Sequence, residues 1–176
     1  MKRLYTSILL TMLMSMIGTM AFAHDFAVDN KDGVTIYYVK TSDTEVAVTF
    51  QGSSCPSYVD YYGPVNIPTS VTYEDKTYSV TGITDNAFYC WFSMTSIYIP
   101  PTVTSIGKKA FYGCEDLAEV TIPSSVKSLG DMAFGSCQHM KKATIINGSM
   151  SMGEGVFTDC QELASVTLPS SMTSIP

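Results

Sequence analysis

The sequence predicts a β-rich repeat solenoid, and three observations support that fold class. The same pattern recurs four times between Ala87 and Leu168, at a constant spacing of 23 residues. Apolar residues fill the same positions in every copy. Within each copy, two of those positions are separated by a single residue, as on one face of a strand. Because a unit this short cannot bury its own apolar face, we expect the copies to stack as successive coils.

The inward side of each coil is predicted from columns of residues that recur at this spacing. One column is aromatic, and four more contain aliphatic residues or methionine. These columns are Phe88, Phe111, Phe134 and Phe157; Met94, Leu117, Met140 and Leu163; Ile97, Val120, Ala143 and Val166; Ile99, Ile122, Ile145 and Leu168; and Ile83, Ile106, Leu129, Met152 and Ile175. We expect the columns to form ladders in one continuous core.

Each coil is predicted to contain a short strand and a compact turn. In the second copy the strand covers Glu119 to Ile122. Pro123 follows it, and a residue without an N–H group ends a ladder strand. The segment Lys108 to Asp116 is predicted to form one turn of α-helix or 3₁₀-helix opposite that strand.

This pattern resembles that of a known family. The stretch SIGKKAFYGCEDLAEVTIPSSV, residues 105–126, is similar to the leucine-rich repeat of the BspA-like, treponemal-type family of bacterial surface and secreted proteins. The resemblance covers residues 80–176, as four copies and a truncated fifth that begins at Met172. It implies a leucine-rich-repeat fold and a non-catalytic protein at the cell exterior. Two departures in the first copy are Trp91 in place of cysteine and Thr84 in place of glycine.

Residues 1–23 have the features of a signal peptide. Lys2 and Arg3 precede an apolar stretch, and residues 21–23 (Ala-Phe-Ala) supply the small side chains that signal peptidase requires. We therefore expect export to the cell surface, the medium or the periplasm, with a mature chain that starts at His24. The alternative is a membrane anchor, but the apolar stretch is shorter than the ~20 residues that a transmembrane helix needs.

The charge balance argues against a nucleic-acid partner. The chain has ten basic and sixteen acidic residues, and its single arginine is one of two basic residues in the leader. The mature chain would therefore have eight lysines and a net charge of −8. Nucleic-acid binding requires a positive surface, and an acidic surface is repelled by anionic lipid.

Residues 24–79 lack the repeat and are predicted to form an N-terminal β-rich cap over the apolar end of the first coil. Strands are expected at Val34 to Val39 and Val46 to Phe50, and a hairpin at Ser70 to Val80 with its turn at Glu74 to Lys76. The alternative is that the tyrosines of this segment form a binding surface, because tyrosine is enriched at interfaces. These tyrosines are Tyr58, Tyr61, Tyr62, Tyr73 and Tyr78.

Five cysteines in an exported chain suggest a disulfide framework, but their spacing favours thiols. Cys114, Cys137 and Cys160 form one column, in which three parallel side chains cannot all pair. We expect reduced thiols that pack as small apolar groups. The sequence leaves undecided whether Cys55 and Cys90 form a disulfide bond. The sequence has no CxxC motif, so no metal site is predicted.

No catalytic or cofactor-binding residues are predicted. Cys137 and His139 are close in sequence, as a thiol nucleophile and its base could be. In the repeat register, however, Cys137 points into the core while His139 lies in a polar turn, which is the wrong geometry for catalysis. The sequence also lacks GxSxG, HExxH and phosphate-binding glycine motifs.

The candidate ligand face is the outward side of the strand ladder. Its residues are Ser96, Tyr98, Glu119, Thr121, Lys142, Thr144, Ser165 and Thr167. Four strands of about five residues give roughly 340 Å², less than half of the ~800 Å² that each partner of a standard interface buries. We predict an adhesion or interaction module for a protein or glycan ligand. The alternative is a truncated or structural segment of a longer repeat protein that has no binding activity of its own.

The C-terminal end of the repeats is predicted to be open. Only Met172 and Ile175 would cover the fourth coil, and the strand at Ala164 to Leu168 would be an edge strand. Because unprotected edges pair with other chains, we expect self-association through this end.

Overall fold

The computed structural model describes residues 24–50, 62–146 and 150–170. These residues form strands and turns, so no helix among them could cross a membrane. The strands of this described part, in chain order, are β1 (Phe26–Asp29), β2 (Thr35–Lys40), β3 (Glu45–Thr49), β4 (Gly63–Asn66), β5 (Ser70–Tyr73), β6 (Lys76–Ile83), β7 (Met94–Tyr98), β8 (Ser105–Ile106), β9 (Glu119–Ile122), β10 (Ser128–Leu129), β11 (Lys142–Ile145), β12 (Ser151–Met152) and β13 (Ser165–Thr167).

One large sheet runs through both the N-terminal segment and the repeats. Its order is β1-β2-β3-β6-β8-β10-β12, and β5 pairs with β6. The hairpin pairings β1–β2, β2–β3 and β5–β6 are antiparallel. From β3 onward the neighbours in this order are parallel, and the two-residue strands step by one coil each, as from Ser105 to Ser128. The N-terminal strands therefore continue directly into the sheet of the solenoid.

A second row contains the longer strands of the coils. β9, β11 and β13 are parallel neighbours in the order β13-β11-β9, and β4 pairs in parallel with β7. The first coil passes from β6, through a turn, to β7, and each later coil passes from a two-residue strand of the large sheet to a strand of this second row. The inward side chains of both rows belong to one hydrophobic core.

Burial confirms the predicted inward columns. Phe88, Phe111 and Phe134 are almost completely buried, and their rings stack nearly parallel at centroid distances of 5.1 and 4.8 Å. Phe157 continues the ladder at 5.9 Å but is only half-buried. The other columns are likewise buried in the first three coils and half-buried in the fourth, while Ile175 lies outside the described residues. The repeats therefore share one core, and its side chains are more exposed to solvent in the last described coil than in the first three.

The predicted helical turn at Lys108 to Asp116 is not confirmed, because the segment forms consecutive β-turns. Alternate N–H groups donate to the carbonyl three residues earlier, as Tyr112 does to Lys109 at 3.1 Å. The N–H groups between them donate to the next coil, as Phe111 does to Ala133 at 2.8 Å. Positive φ values recur in these turns and interrupt a helical path. They occur at Asn86, Cys90, Lys109, Gly113, Met132, Ser136, Gly155 and Asp159.

Thr84 stands in a column that contains glycine in the other three coils, and the structure shows why threonine is tolerated at this position. A Cβ on Gly107, Gly130 or Gly153 would lie 2.4–2.5 Å from a backbone nitrogen of the preceding coil. Thr84, in the same column, lies beside strand β3 instead of a turn. Its N–H donates to the Val48 carbonyl at 2.8 Å, and its hydroxyl contacts the Thr49 hydroxyl at 3.0 Å. A side chain fits there because a strand, unlike the turns, leaves room for it.

The strands and hairpin expected in the N-terminal segment are confirmed. β2 and β3 cover the first two predicted strands. β5 and β6 form the hairpin, and its two turn residues, Glu74 and Asp75, have φ values of 48° and 60°, as a type I′ turn requires. The capping role of this segment remains a prediction.

Candidate ligand face

The candidate ligand face consists of the outward side chains on the second row of strands. The structure places all eight predicted residues on β7, β9, β11 and β13; Ser96 and Thr144 are half-buried and the other six are exposed. On β9, β11 and β13 the parallel register aligns two rows of side chains. These rows are Glu119, Lys142 and Ser165, and Thr121, Thr144 and Thr167.

The candidate ligand face has a fifth strand, β4, that sequence analysis missed. β4 pairs with β7 and places Pro64 opposite Ser96 and Asn66 opposite Tyr98. The missed signal is the sequence Ile-Pro-Thr-Ser-Val at residues 67–71, which matches Ile-Pro-Ser-Ser-Val at residues 122–126. The inserted β5–β6 hairpin stretches the step between Asn66 and Tyr98 to 32 residues, so a search at the spacing of 23 does not find it.

The first coil differs from its sister coils by exposing aromatic rings. Tyr98 is 52% exposed, and its column continues with threonine in the next three coils. Phe92 is 39% exposed, and its column continues with Glu115 and two glutamines. Tyr62, which is also exposed, precedes Gly63, whose N–H donates to Ser93 next to Phe92. Exposed aromatic residues of this kind are typical anchors of binding interfaces.

The charged side chains of the face are few and of both signs. Glu119 and Lys142 lie opposite each other on neighbouring strands, and both are exposed. Neither side chain forms an ion pair with another described residue, so both are available to steer or orient a ligand.

A pocket of about 530 Å³ lies at the end of the candidate ligand face where β4 and β7 finish. We call it the Tyr98 pocket. It is lined by Asn30, Lys31, Asn66, Ile67, Pro68, Thr69 and Tyr98. Its volume falls within the ~300–1,000 Å³ that is usual for small-ligand sites. Of these residues, only Tyr98 is in the site that the sequence predicts.

Hydrogen bonds hold the β1–β2 loop against β4 and so shape the Tyr98 pocket. The Asn30 side-chain amide donates to the Asn66 carbonyl at 2.9 Å, and the Asn66 amide donates to the Asp32 carboxylate at 2.6 Å. Asn30 Oδ1 also accepts the N–H groups of Asp32 and Val34 at 2.9 and 3.0 Å. Two asparagines that are distant in sequence are therefore fixed in one wall.

A larger, open groove of about 960 Å³ follows the outer side of the large sheet. Small side chains such as Ser105, Ser128 and Ser151 line it. The carboxylates beside them have structural partners: Asp85 accepts the N–H of Lys108 at 2.7 Å, and Asp131 accepts that of Glu154 at 3.0 Å. These groups bind one coil to the next, so we favour the candidate ligand face over this groove.

The cysteine column contains free thiols, as the sequence predicts. Each thiol donates to the carbonyl of a phenylalanine in the preceding coil. The bonds are Cys114 to Phe88 at 3.2 Å, Cys137 to Phe111 at 3.3 Å and Cys160 to Phe134 at 3.1 Å. Burial also raises the pKa of Cys114 well above its ordinary value. Cys55 lies outside the described residues, so the structure does not test the suggested disulfide bond between Cys55 and Cys90.

Cys137 and His139 do not form a nucleophilic pair. Cys137 is fully buried, and the neighbouring Cys160 thiol, together with burial, raises the pKa of the Cys137 thiol. His139 is exposed, and its Nδ1 lies 3.3 Å from the Asp116 carboxylate. A thiol that stays protonated is a poor nucleophile. Among the described residues, moreover, no cluster of histidine, cysteine or acidic side chains is suited to a metal ion.

Stacked coils, parallel strand ladders and an outward polar face define a leucine-rich-repeat solenoid. The family model for the BspA type leucine rich repeat region (6 copies) matches residues 81–176, more than half of the chain. The chain belongs to this family. Its members and structural neighbours are generally non-catalytic repeat proteins.

Solved structures of bacterial leucine-rich-repeat proteins are similar to this chain. One from Bacteroides capillosus has a TM-score of 0.64 at 27% identity, covering 80% of this chain and 96% of that one. A leucine rich cell surface protein from Faecalibacterium prausnitzii has a TM-score of 0.56 at 30% identity, but this chain spans only 44% of its length while 85% of this chain is covered. A T. pallidum leucine rich repeat protein has a TM-score of 0.52 at 26% identity, over 77% of this chain and 70% of that one. The curated proteins offer no match.

Proposed function

We propose that this chain is an exported, non-catalytic adhesion module that binds a protein or glycan through the candidate ligand face, without a cofactor. The observation that carries the proposal is the exposed ring of Tyr98 in a column where the other coils have threonine. A ring that served only packing would be buried like Phe111. A solvent-exposed ring on a rigid strand can become buried against a binding partner and so act as an anchor residue.

The predicted leader and the family support a location outside the cell. Residues 1–23 have the pattern of a signal peptide, and one neighbour is named a leucine rich cell surface protein. We further propose that nucleic acid is not a partner, because the mature chain would be acidic and without arginine.

The size of the face limits the affinity that we expect. Five strands at ~4.8 Å spacing give roughly 400 Å², still about half of what each partner of a standard interface buries. Moderate affinity is therefore expected from the strands alone. The Tyr98 pocket and the exposed aromatic residues of the first coil add contact area at the same end.

Replacing Tyr98 with threonine tests the proposed face. This substitution installs the residue of the sister coils, so the fold should be kept. We expect the mature chain to bind at least one member of a panel of immobilised extracellular-matrix glycoproteins, and Tyr98→Thr to weaken that binding by tenfold or more, measured by surface plasmon resonance.

The matched control is Tyr112→Thr, the same chemical change in a turn whose column already contains Thr158. It should leave the binding unchanged. Equal binding by Tyr98→Thr and the parent chain, or no binding to any member of the panel, would contradict the proposed function.

A second candidate function is a structural segment of a longer repeat protein. It is favoured by the coverage of only 44% of the F. prausnitzii protein. In that case the ligand face would need further coils, and the mature chain by itself would bind nothing on the panel.

Self-association through the C-terminal end remains part of the proposal. Within the described residues, β13 pairs with β11 alone, and Leu163, Val166 and Leu168 around it are only half-buried. We expect light scattering of the mature chain to give a mass that rises with concentration. A constant monomer mass up to high concentration would contradict this prediction.

A further inference from the structure

The Tyr98 pocket has the chemistry of a carbohydrate subsite. We propose that it binds one unit of a neutral oligosaccharide, with the sugar ring against the exposed face of Tyr98. The proposal rests on the proposed function and narrows its ligand to a glycan. Three features support it: the composition of the pocket, the polar groups there that retain hydrogen-bonding capacity, and the Asn66 carbonyl of β4, which already accepts a hydrogen bond.

The composition of the pocket suits a neutral polar ligand. Its walls combine an exposed aromatic ring and the apolar Ile67 and Pro68 with two side-chain amides and a hydroxyl, and Lys31 is the single charged lining residue. A sugar ring presents a C–H face and a rim of hydroxyl groups. Such a ligand needs an apolar platform beside neutral donors and acceptors, and the pocket supplies both.

Several polar groups at the pocket retain hydrogen-bonding capacity. Among the described residues, the hydroxyls of Thr69 and Tyr98 and the ammonium group of Lys31 have no hydrogen-bond partner, and the side-chain oxygen of Asn66 accepts no bond. A hydroxyl can both donate and accept, and an amide oxygen accepts. These groups can therefore satisfy both lone pairs and O–H groups of a saccharide.

The amides of the pocket are preorganised. Asn66 is held at both ends: its carbonyl accepts from Asn30, and its amide nitrogen donates to Asp32. Its side-chain oxygen is thereby aimed before any ligand arrives. Fixing a polar group in advance lowers the ordering cost of binding, which matters for a ligand that binds through a few hydrogen bonds.

The same contacts argue against an extended peptide as the occupant. A peptide that adds to a sheet must pair with free backbone groups on an edge strand. β4 pairs with β7 on one side, and the Asn30 amide occupies the Asn66 carbonyl. The β1–β2 loop therefore blocks strand addition at this point, whereas the pocket stays open to a compact ring.

An NMR titration of the mature chain tests the proposal with lactose, maltotriose, cellotriose and chitotriose as separate probes. We expect at least one of these saccharides to give saturable shifts of the Asn66 side-chain amide and the Tyr98 ring. Thr69→Val, which keeps the shape but removes a hydroxyl, should weaken that binding at least fivefold. Thr44→Val, the same change at an exposed residue of the β2–β3 loop, should leave it unaltered.

The possible results separate this proposal from the proposed function. If no saccharide shifts these signals, but glycoproteins stripped of their glycans still bind in a Tyr98-dependent manner, the glycan proposal is overturned and the adhesion face stands. If a saccharide binds equally to Thr69→Val and the parent, the pocket is not its site. If neither saccharides nor glycoproteins bind, both proposals are overturned.

Discussion

Replacing Phe111 with alanine is expected to lower the free energy of unfolding by about 3–5 kcal/mol. The ring is fully buried and is stacked between Phe88 and Phe134, with centroids 5.1 and 4.8 Å away. Deleting it removes apolar contact with both neighbouring coils and leaves a cavity between rigid ladders that cannot close independently. Urea denaturation followed by circular dichroism would measure the loss.

The control for this prediction is Thr121→Ala on the candidate ligand face. Thr121 is exposed, and we expect its replacement to cost well under 1 kcal/mol. Similar denaturation midpoints for Phe111→Ala and Thr121→Ala would contradict the inward and outward assignment on which the site rests.

Gly130→Ala is expected to destabilise the protein by about 3 kcal/mol, because the added methyl group has no space. Its Cβ would lie 2.4 Å from the Lys108 nitrogen and 2.6 Å from the Gly107 carbonyl carbon. Both are backbone atoms of the preceding coil and cannot rotate away, so the two coils would have to separate locally. Thermal unfolding by differential scanning calorimetry would detect the loss.

Gly82→Ala is the matched control for this steric argument. A Cβ on Gly82 would approach the Ser105 side chain at 3.2 Å, and that hydroxyl can move. The following coils already have Ser105, Ser128 and Ser151 in the same column. We expect a change within about 1 kcal/mol, and a loss as large as that of Gly130→Ala would show that the packing of the glycine column is not the cause.

Much of the architecture could be predicted from sequence because the coils repeat their environment. The inward columns, the strands at Glu119–Ile122 and its sister segments, and the free thiols of Cys114, Cys137 and Cys160 follow from a spacing of 23 residues. When a position is apolar in every coil, each copy is a separate indication that the position is buried. For the same reason the eight residues predicted for the ligand face could be placed on outward positions.

The turns could not be predicted from the same pattern. The sequence around Phe111 suggests a helical turn, since an Ala-Phe pair followed by polar residues is compatible with one. In the structure, the Phe111 N–H instead donates a hydrogen bond to the Ala133 carbonyl in the next coil. Which carbonyl receives an N–H group depends on how closely the coils stack, and the glycine column at Gly130 allows that close approach.

The sequence by itself determined the coil length, the direction of each strand residue and the exposed ring of Tyr98 among threonines, because those properties are repeated locally. Only the tertiary structure decided that β4 joins the ligand face and that Asn30 and Asn66 meet beside Tyr98. The physical reason is that the β5–β6 insertion interrupts the period while leaving the strand pairing intact. Hydrogen bonds between β4 and β7, and between the β1–β2 loop and Asn66, are formed across distances that no local pattern encodes.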